Sequence, residues 1–268
     1  MTKLFDEQFL LLIDSLSAMD EVRAIGKSGG AAFPERDESD IDLFVLCRRA
    51  PDARARLSAI HALGDAVSEI QIGEAADRFW GTCDFFALHG TEVCLMYFTI
   101  TDMNDEIDSV LNACRLDREG EYFYPTGRCA AFLSMHSLLD RDGYIAGMQE
   151  RLSVYPPELS QKLYQHHKEM IHDAEDFERA VARGDVLFYH ATLELAIDHF
   201  LQALFALNRC FFPSRKRTAA FIEGFSVKPA NCAERLLQAI EWGAKPETLP
   251  KSYLVWCALC KDFLGIVP

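Results

Sequence analysis

Positive charge is what this chain has least of: 27 lysines and arginines stand against 41 aspartates and glutamates, a net charge of −14 over 268 residues. Proteins that neutralise many phosphates do so with clustered Lys and Arg, so this balance argues against an extended nucleic-acid footprint. Long apolar runs are missing too. No stretch approaches the roughly 20 residues that cross a bilayer, so no membrane contact is expected. The first residues, with Asp6, Glu7 and Asp14 among leucines, lack the basic start and unbroken apolar core of a signal peptide; a cytoplasmic protein is expected. Internal repeats and low-complexity tracts are absent.

The nine cysteines lack a framework. Their number is odd and they are scattered through apolar segments, which reads as small buried hydrophobes in a reducing compartment. Cys257-Ala-Leu-Cys260 has the spacing of half a zinc site without a second pair, in an apolar helical stretch. His166, His167 and His172 lack a matching set of acidic or cysteine co-ligands and receive no role.

What is present is an ordinary folded composition, half hydrophobic and a quarter charged, long enough for one large domain or two small ones. An amphipathic helix is expected over 5–19 and a short strand over 22–25. A strand runs through 41–46, and 52–68 reads as a helix. Two β-rich runs, 82–88 and 91–99, flank His89-Gly90, a two-residue hairpin signal. From residue 105 the strand signal fades. Helices are expected over 105–114, 128–138, 143–152, 157–182, 186–207, 217–225, 230–242 and 252–264, with breaks at Pro156-Pro157, Gly184-Asp185, Pro213 and Pro229. The class is therefore α+β: a small mixed-sheet domain over 1–104, then an all-α helix bundle over 105–268, with the active site expected where the two meet.

The richest stretch is Ile25-Gly26-Lys27-Ser28-Gly29-Gly30, followed by Ser39-Asp40-Ile41-Asp42-Leu43-Phe44-Val45-Leu46. Side chains alternate along a strand, so Asp40 and Asp42 share one face while Ile41 and Leu43 take the other. Two carboxylates a few ångströms apart repel unless a cation sits between them. Mg²⁺ suits such a site, because it takes one or two carboxylates and completes its shell with water and substrate phosphates. The turn ahead of them offers the Ser28 hydroxyl and the Gly29 and Gly30 N–H groups to phosphate oxygens, with Lys27 as a nearby cation.

These residues resemble the nucleotidyltransferase signature of the polymerase-β-like superfamily, in which a Gly-Gly or Gly-Ser turn precedes an Asp-x-Asp strand by about a dozen positions. The resemblance covers the first hundred residues and reaches the helical part only loosely. It implies a catalytic domain over 1–104, an acceptor-binding helical domain over 105–268, and a site where Asp40 and Asp42 hold two Mg²⁺ ions on a nucleoside triphosphate. Transfer also needs a base for the acceptor hydroxyl, for which a third carboxylate is the natural candidate. Thr91-Glu92-Val93-Cys94-Leu95-Met96 resembles the strand that supplies this acid in bacterial aminoglycoside adenylyltransferases, and by that likeness Glu92 matches the base. Other branches of the superfamily put the third acid inside the strand, a place held here by Cys94. That leaves Glu92 open as base, as metal ligand, or as neither. Asp84, on the neighbouring strand of the hairpin, is the reserve.

In the helical part, Arg209 and the run Arg215-Lys216-Arg217 surround Pro213 at a helix end. The segment resembles an Asn-to-Pro-to-Lys stretch of some bacterial nucleotidyltransferase-like proteins, which implies Lys216 as a triphosphate contact; equally, the cluster suits the negative end of the preceding helix. His190, Glu194 and Asp198 form one stripe at i, i+4 and i+8, read as a solvated face rather than a lure for a cationic acceptor. The expected activity is Mg²⁺-dependent transfer of AMP from ATP to a hydroxyl of a small molecule, an aminoglycoside-like antibiotic being one candidate. The alternatives are nucleotidylation of a protein and a nucleotide-binding regulatory module without catalysis.

Overall fold

The computed structural model describes residues 3–28, 40–77, 79–118, 124–171 and 174–266. The chain is α+β and forms two compact units, Met1–Ser109 with Arg128–Val154, and Val110–Gly127 with Tyr155–Pro268. None of the described helices is long and apolar enough to cross a membrane.

The first unit is built on a six-stranded mixed sheet. Its elements are α1 (Lys3–Ser17), β1 (Val22–Ser28), β2 (Ile41–Cys47), α2 (Ala53–His61), β3 (Val67–Ile72), β4 (Thr82–Leu88), β5 (Thr91–Thr99), α3 (Ile100–Leu111), α4 (Gly127–Leu133), β6 (His136–Asp140) and α5 (Tyr144–Leu152). Strand order is β3-β4-β5-β2-β1-β6; β2 and β5 run parallel and every other pair is antiparallel.

Alternation along these strands sorts the sheet into two faces. Leu43 and Val45 of β2, Val93, Leu95 and Tyr97 of β5, and Phe86 and Leu88 of β4 join Leu12 and Leu16 of α1 and Ile60 of α2 in one core. The other phase carries Phe44, Met96 and Phe98, buried beneath the α4–α5 side. There Phe132 of α4 meets Phe44 edge to face at 6.3 Å, and Arg128 lies over the Phe98 ring at 4.6 Å. A Cβ at Gly26 would stand 2.0 Å from the Met135 sulfur, so only glycine lets this layer settle on the β1 backbone.

The hairpin expected at His89-Gly90 is present, both residues having the positive φ of a two-residue turn. Three expectations change. The α-helix of the 52–68 run ends at His61, a 3-10 turn over Gly64–Ala66 follows with Gly64 at φ +63, and β3 begins at Val67, pairing with β4. The helix expected over 128–138 stops at Leu133, where the Gln149 side-chain amide donates to the Phe132 and Met135 carbonyls, and residues 136–140 become the edge strand beside β1. The sheet-forming part therefore does not end near residue 104: the chain leaves it at Ser109 and returns for 128–154. Ladder bonds to a strand over a hundred residues away outweigh the helical pattern of this short stretch.

The second unit contains α6 (Pro157–Lys168), α7 (Ala174–Arg183), α8 (Val186–Leu207), α9 (Thr218–Gly224), α10 (Cys232–Trp242) and α11 (Leu249–Leu264). α8 is capped by Asp185, whose carboxylate accepts from the Phe188 N–H at 3.0 Å, and it is buried along most of its length. α6, α7, α10 and α11 pack against it. The single helix expected over 157–182 is two. Lys168 closes the first while Glu175 and Asp176 open the second, so each set of charges complements its own helix dipole.

Candidate active site

β2 changes character along one face. Phe44 and Leu46 are buried, whereas Asp42 and, just ahead of the strand, Asp40 are exposed, so the helical cover ends before the strand does. The register identifies what stands beside these acids. Asp42 pairs with Ser28 on β1 and with Cys94 on β5. Ile41 pairs with Val93; carried one step back, the register sets Asp40 beside Glu92, which is exposed as well. In adjacent strands, residues level with one another share a face. Asp40, Asp42, Glu92, Cys94 and Ser28 thus belong to one open end of one sheet face. Gly29 and Gly30 lie outside the described residues. Lys27 pairs with Leu43 and so takes the opposite face from Asp42.

The field of these acids is visible in Cys94. Its thiol pKa is pushed far up, first by the neighbouring Cys83 thiol, then by burial and by the charges of Asp42 and Glu92. Cys83 moves the other way, because the neighbouring Cys94 thiol favours its thiolate. Among the described residues no three His, Cys, Asp or Glu side chains close around a common point. The carboxylates form an open donor set rather than a cage.

Asp84 is not part of this group. It pairs with Leu95, which puts it on the α1–α2 face, and it is fully buried. There its carboxylate accepts from the Arg56 guanidinium and from the Gly73 N–H at 3.0 Å, while Arg56 also donates to the Gly73 carbonyl at 2.7 Å. Burial raises the Asp84 pKa against the pull of Arg56. The reserve base is a structural ion pair. Sequence reasoning also missed Arg128, which lies over Phe44 and Phe98 on the acid face and donates to the Phe79 carbonyl, with Glu106 at 3.5 Å. No local pattern marks it.

In the second unit Lys216 is exposed just ahead of α9, its backbone N–H donating to the Ser214 hydroxyl at 3.1 Å. Arg215 pairs with Glu194 at 3.0 Å, so part of the basic cluster is spent on the α8 stripe. That stripe is no uniformly solvated face. Asp198 is 7% exposed and accepts from the Tyr124 hydroxyl and from the Gln202 amide, with Arg118 at 3.5 Å.

His167 is 2% exposed, its Nδ1 2.9 Å from Nδ1 of His199. Burial, then the positive charge that His199 and His166 can carry, pushes its pKa down to about 3. Burial lowers the pKa of His199 as well, with Asp198 opposing that shift and Arg118 adding to it. The unfolded chain, with an ordinary histidine near 6.5, takes this proton first, so the stability is complete above that pH and is lost as pH falls towards 3. By pH 5 the loss is about 2 kcal/mol. Urea midpoints at pH 7.5 and 5 should show it, and His167→Phe should flatten the slope by that amount; equal slopes would contradict a neutral buried imidazole.

Residues 124–217 match a family described as a domain of unknown function (DUF4037). No curated protein matches the chain. Among solved structures, the chain is similar to a nucleotidyltransferase-like protein from Exiguobacterium sibiricum, with 11% identity and a TM-score of 0.44 over 96% of this chain and 74% of that one.

Proposed function

We propose that this chain is a Mg²⁺-dependent nucleotidyltransferase that moves AMP from ATP to a hydroxyl of a small acceptor and releases pyrophosphate. The observation that supports it most is the grouping of Asp40, Asp42, Glu92 and Ser28 on one open end of a sheet face. Carboxylate oxygens suit Mg²⁺, which rarely sits in all-protein cages and leaves room for phosphates and water. Asp40 and Asp42 would hold Mg²⁺, two ions with nucleotide, and the metal would neutralise triphosphate charge. The Ser28 hydroxyl donates to a phosphate oxygen, and the Gly29 and Gly30 N–H groups serve the same end. Glu92 takes the proton of the acceptor hydroxyl as its oxygen bonds to the α-phosphorus and the bond to pyrophosphate breaks. A neutral or cationic acceptor, an aminoglycoside-like molecule for instance, accords with the net charge of −14.

Labelled ATP, Mg²⁺ and a panel of hydroxylic acceptors test this reading by pyrophosphate release. Glu92→Gln should lower kcat by about 10²–10⁴-fold with little change in KM for ATP. An equal loss in kcat and rise in KM would make Glu92 a nucleotide ligand instead. If Mg²⁺ with ATP fails to raise the melting temperature, the proposal falls.

A further inference from the structure

The acid site has a thiol pair built into its wall. Cys94 stands level with Asp42 on the adjoining strand and two residues beyond Glu92, on their face. Cys83 pairs with Met96 and Cys94 with Phe85, so the two cysteines are diagonal neighbours on β4 and β5 and share a face. The Cys83 thiol donates to the Trp80 carbonyl at 3.2 Å, and the two thiols lie near enough to shift each other's ionisation, Cys83 downward and Cys94 upward. Among the described residues all nine cysteines are thiols. Access is unequal: Cys83 is partly exposed, whereas Cys94 is 7% exposed.

We propose that Cys83 and Cys94 are a peroxide-responsive switch that closes as a disulfide and disables the Asp42–Glu92 site; the regulatory half rests on the nucleotidyl-transfer reading above. Cys83 is the reachable sulfur. Its thiolate attacks an oxygen of hydrogen peroxide, the O–O bond breaks, and the departing hydroxide takes up a proton from solvent, leaving a sulfenic acid and water. Cys94 then attacks that sulfur, the S–O bond breaks, and a second water leaves with the thiol proton. Two thiols are oxidised and one peroxide is reduced to two waters.

Geometry gives the bond its effect. Diagonal neighbours in an antiparallel pair have Cα atoms about 7–8 Å apart, with Cβ atoms somewhat closer. A disulfide needs Cβ atoms about 3.8 Å apart. Closing it therefore shears β5 against β4 at the position that faces Asp42, and metal ligands tolerate only tenths of an ångström. Disturbance just outside a metal's own ligands typically costs about 10–100-fold in affinity or activity.

The test treats the full chain with hydrogen peroxide, maps peptides without reduction, and follows Mg²⁺–ATP thermal shift and pyrophosphate release. A Cys83–Cys94 peptide pair is expected, with turnover down about tenfold or more and restored by dithiothreitol. Cys83→Ser should keep the reduced activity and lose the sensitivity. Failure to find the bridged peptide, a bridge that leaves binding and turnover at the reduced level, or a Cys83→Ser chain that stays sensitive overturns the switch. A reduced chain that neither binds Mg²⁺–ATP nor turns it over overturns the proposed function, and the regulation with it, whatever the peptide map shows.

Discussion

Asp42→Asn is expected to cut Mg²⁺-dependent pyrophosphate release by about 10²-fold or more while the protein melts at its usual temperature. The two halves of that result come from the same fact. Asp42 is exposed at the end of a strand whose other side chains are buried, so its amide analogue keeps the side chain's shape and leaves the core untouched. What it removes, on the proposed function, is one of the two negative charges that would hold a cation. An amide oxygen is a weaker ligand for Mg²⁺ and leaves the triphosphate charge less compensated. Ligand binding gives a second readout: nucleotide at a hundred times its Kd stabilises by about 2.7 kcal/mol, which the variant should forfeit at the same concentration. Full turnover in Asp42→Asn would place the chemistry elsewhere.

Asp84→Asn should do the reverse, destabilising by about 3–5 kcal/mol without touching the chemistry directly. Its carboxylate is fully buried against Arg56, itself 3% exposed and stacked over Tyr97 at 5.2 Å from the ring centroid. The neutral amide strands a guanidinium in an apolar layer. Thermal melting should fall by about 10 °C, at the few degrees per kcal/mol usual for chains of this size. A double replacement, Arg56→Met with Asp84→Leu, should recover most of the loss, since removing both charges also removes their desolvation cost. Below its melting range the single variant should still bind Mg²⁺–ATP. A variant that melts normally yet is inactive would return Asp84 to the reaction.

The opposite placement of Asp84 and Glu92 is legible in the sequence. A two-residue loop fixes hairpin register, so His89-Gly90 dictates that Leu88 faces Thr91, hence that Ala87 faces Glu92 and Asp84 faces Leu95. From that alone Asp84 and Glu92 occupy opposite faces. Its alternation with Phe86 and Leu88 says the same, since those are core residues. The Asp40–Asp42 strand was legible because acids interrupt an apolar run at its head. Cys94 was noticed as a departure from the expected acid, but its partner Cys83 lies on another strand, and only the pairing brings them together. β6 was hidden for a different reason. Met135-His136-Ser137-Leu138-Leu139 carries no turn or β-branched signal, and its partner is β1, so the choice between helix and strand is made by tertiary pairing rather than local propensity. The break between α6 and α7 is the opposite case: the switch from basic to acidic residues announces it, although hydrophobic spacing runs through.

The ladder between β1 and β6, joining Ala24 to Asp140, has a consequence for how the protein is made. A ribosome that has released residues up to Thr99 has supplied every strand of the acid site, yet β1 still presents an uncovered edge, and α4 and α5 have not arrived to seal the Phe44 face. At translation rates of about 5–20 residues per second the missing residues take several seconds, during which the nascent sheet exposes the features that favour aggregation. Expression of the first hundred residues alone should therefore give insoluble material, whereas a chain running through Val154 carries its own closing strand and lid of helices.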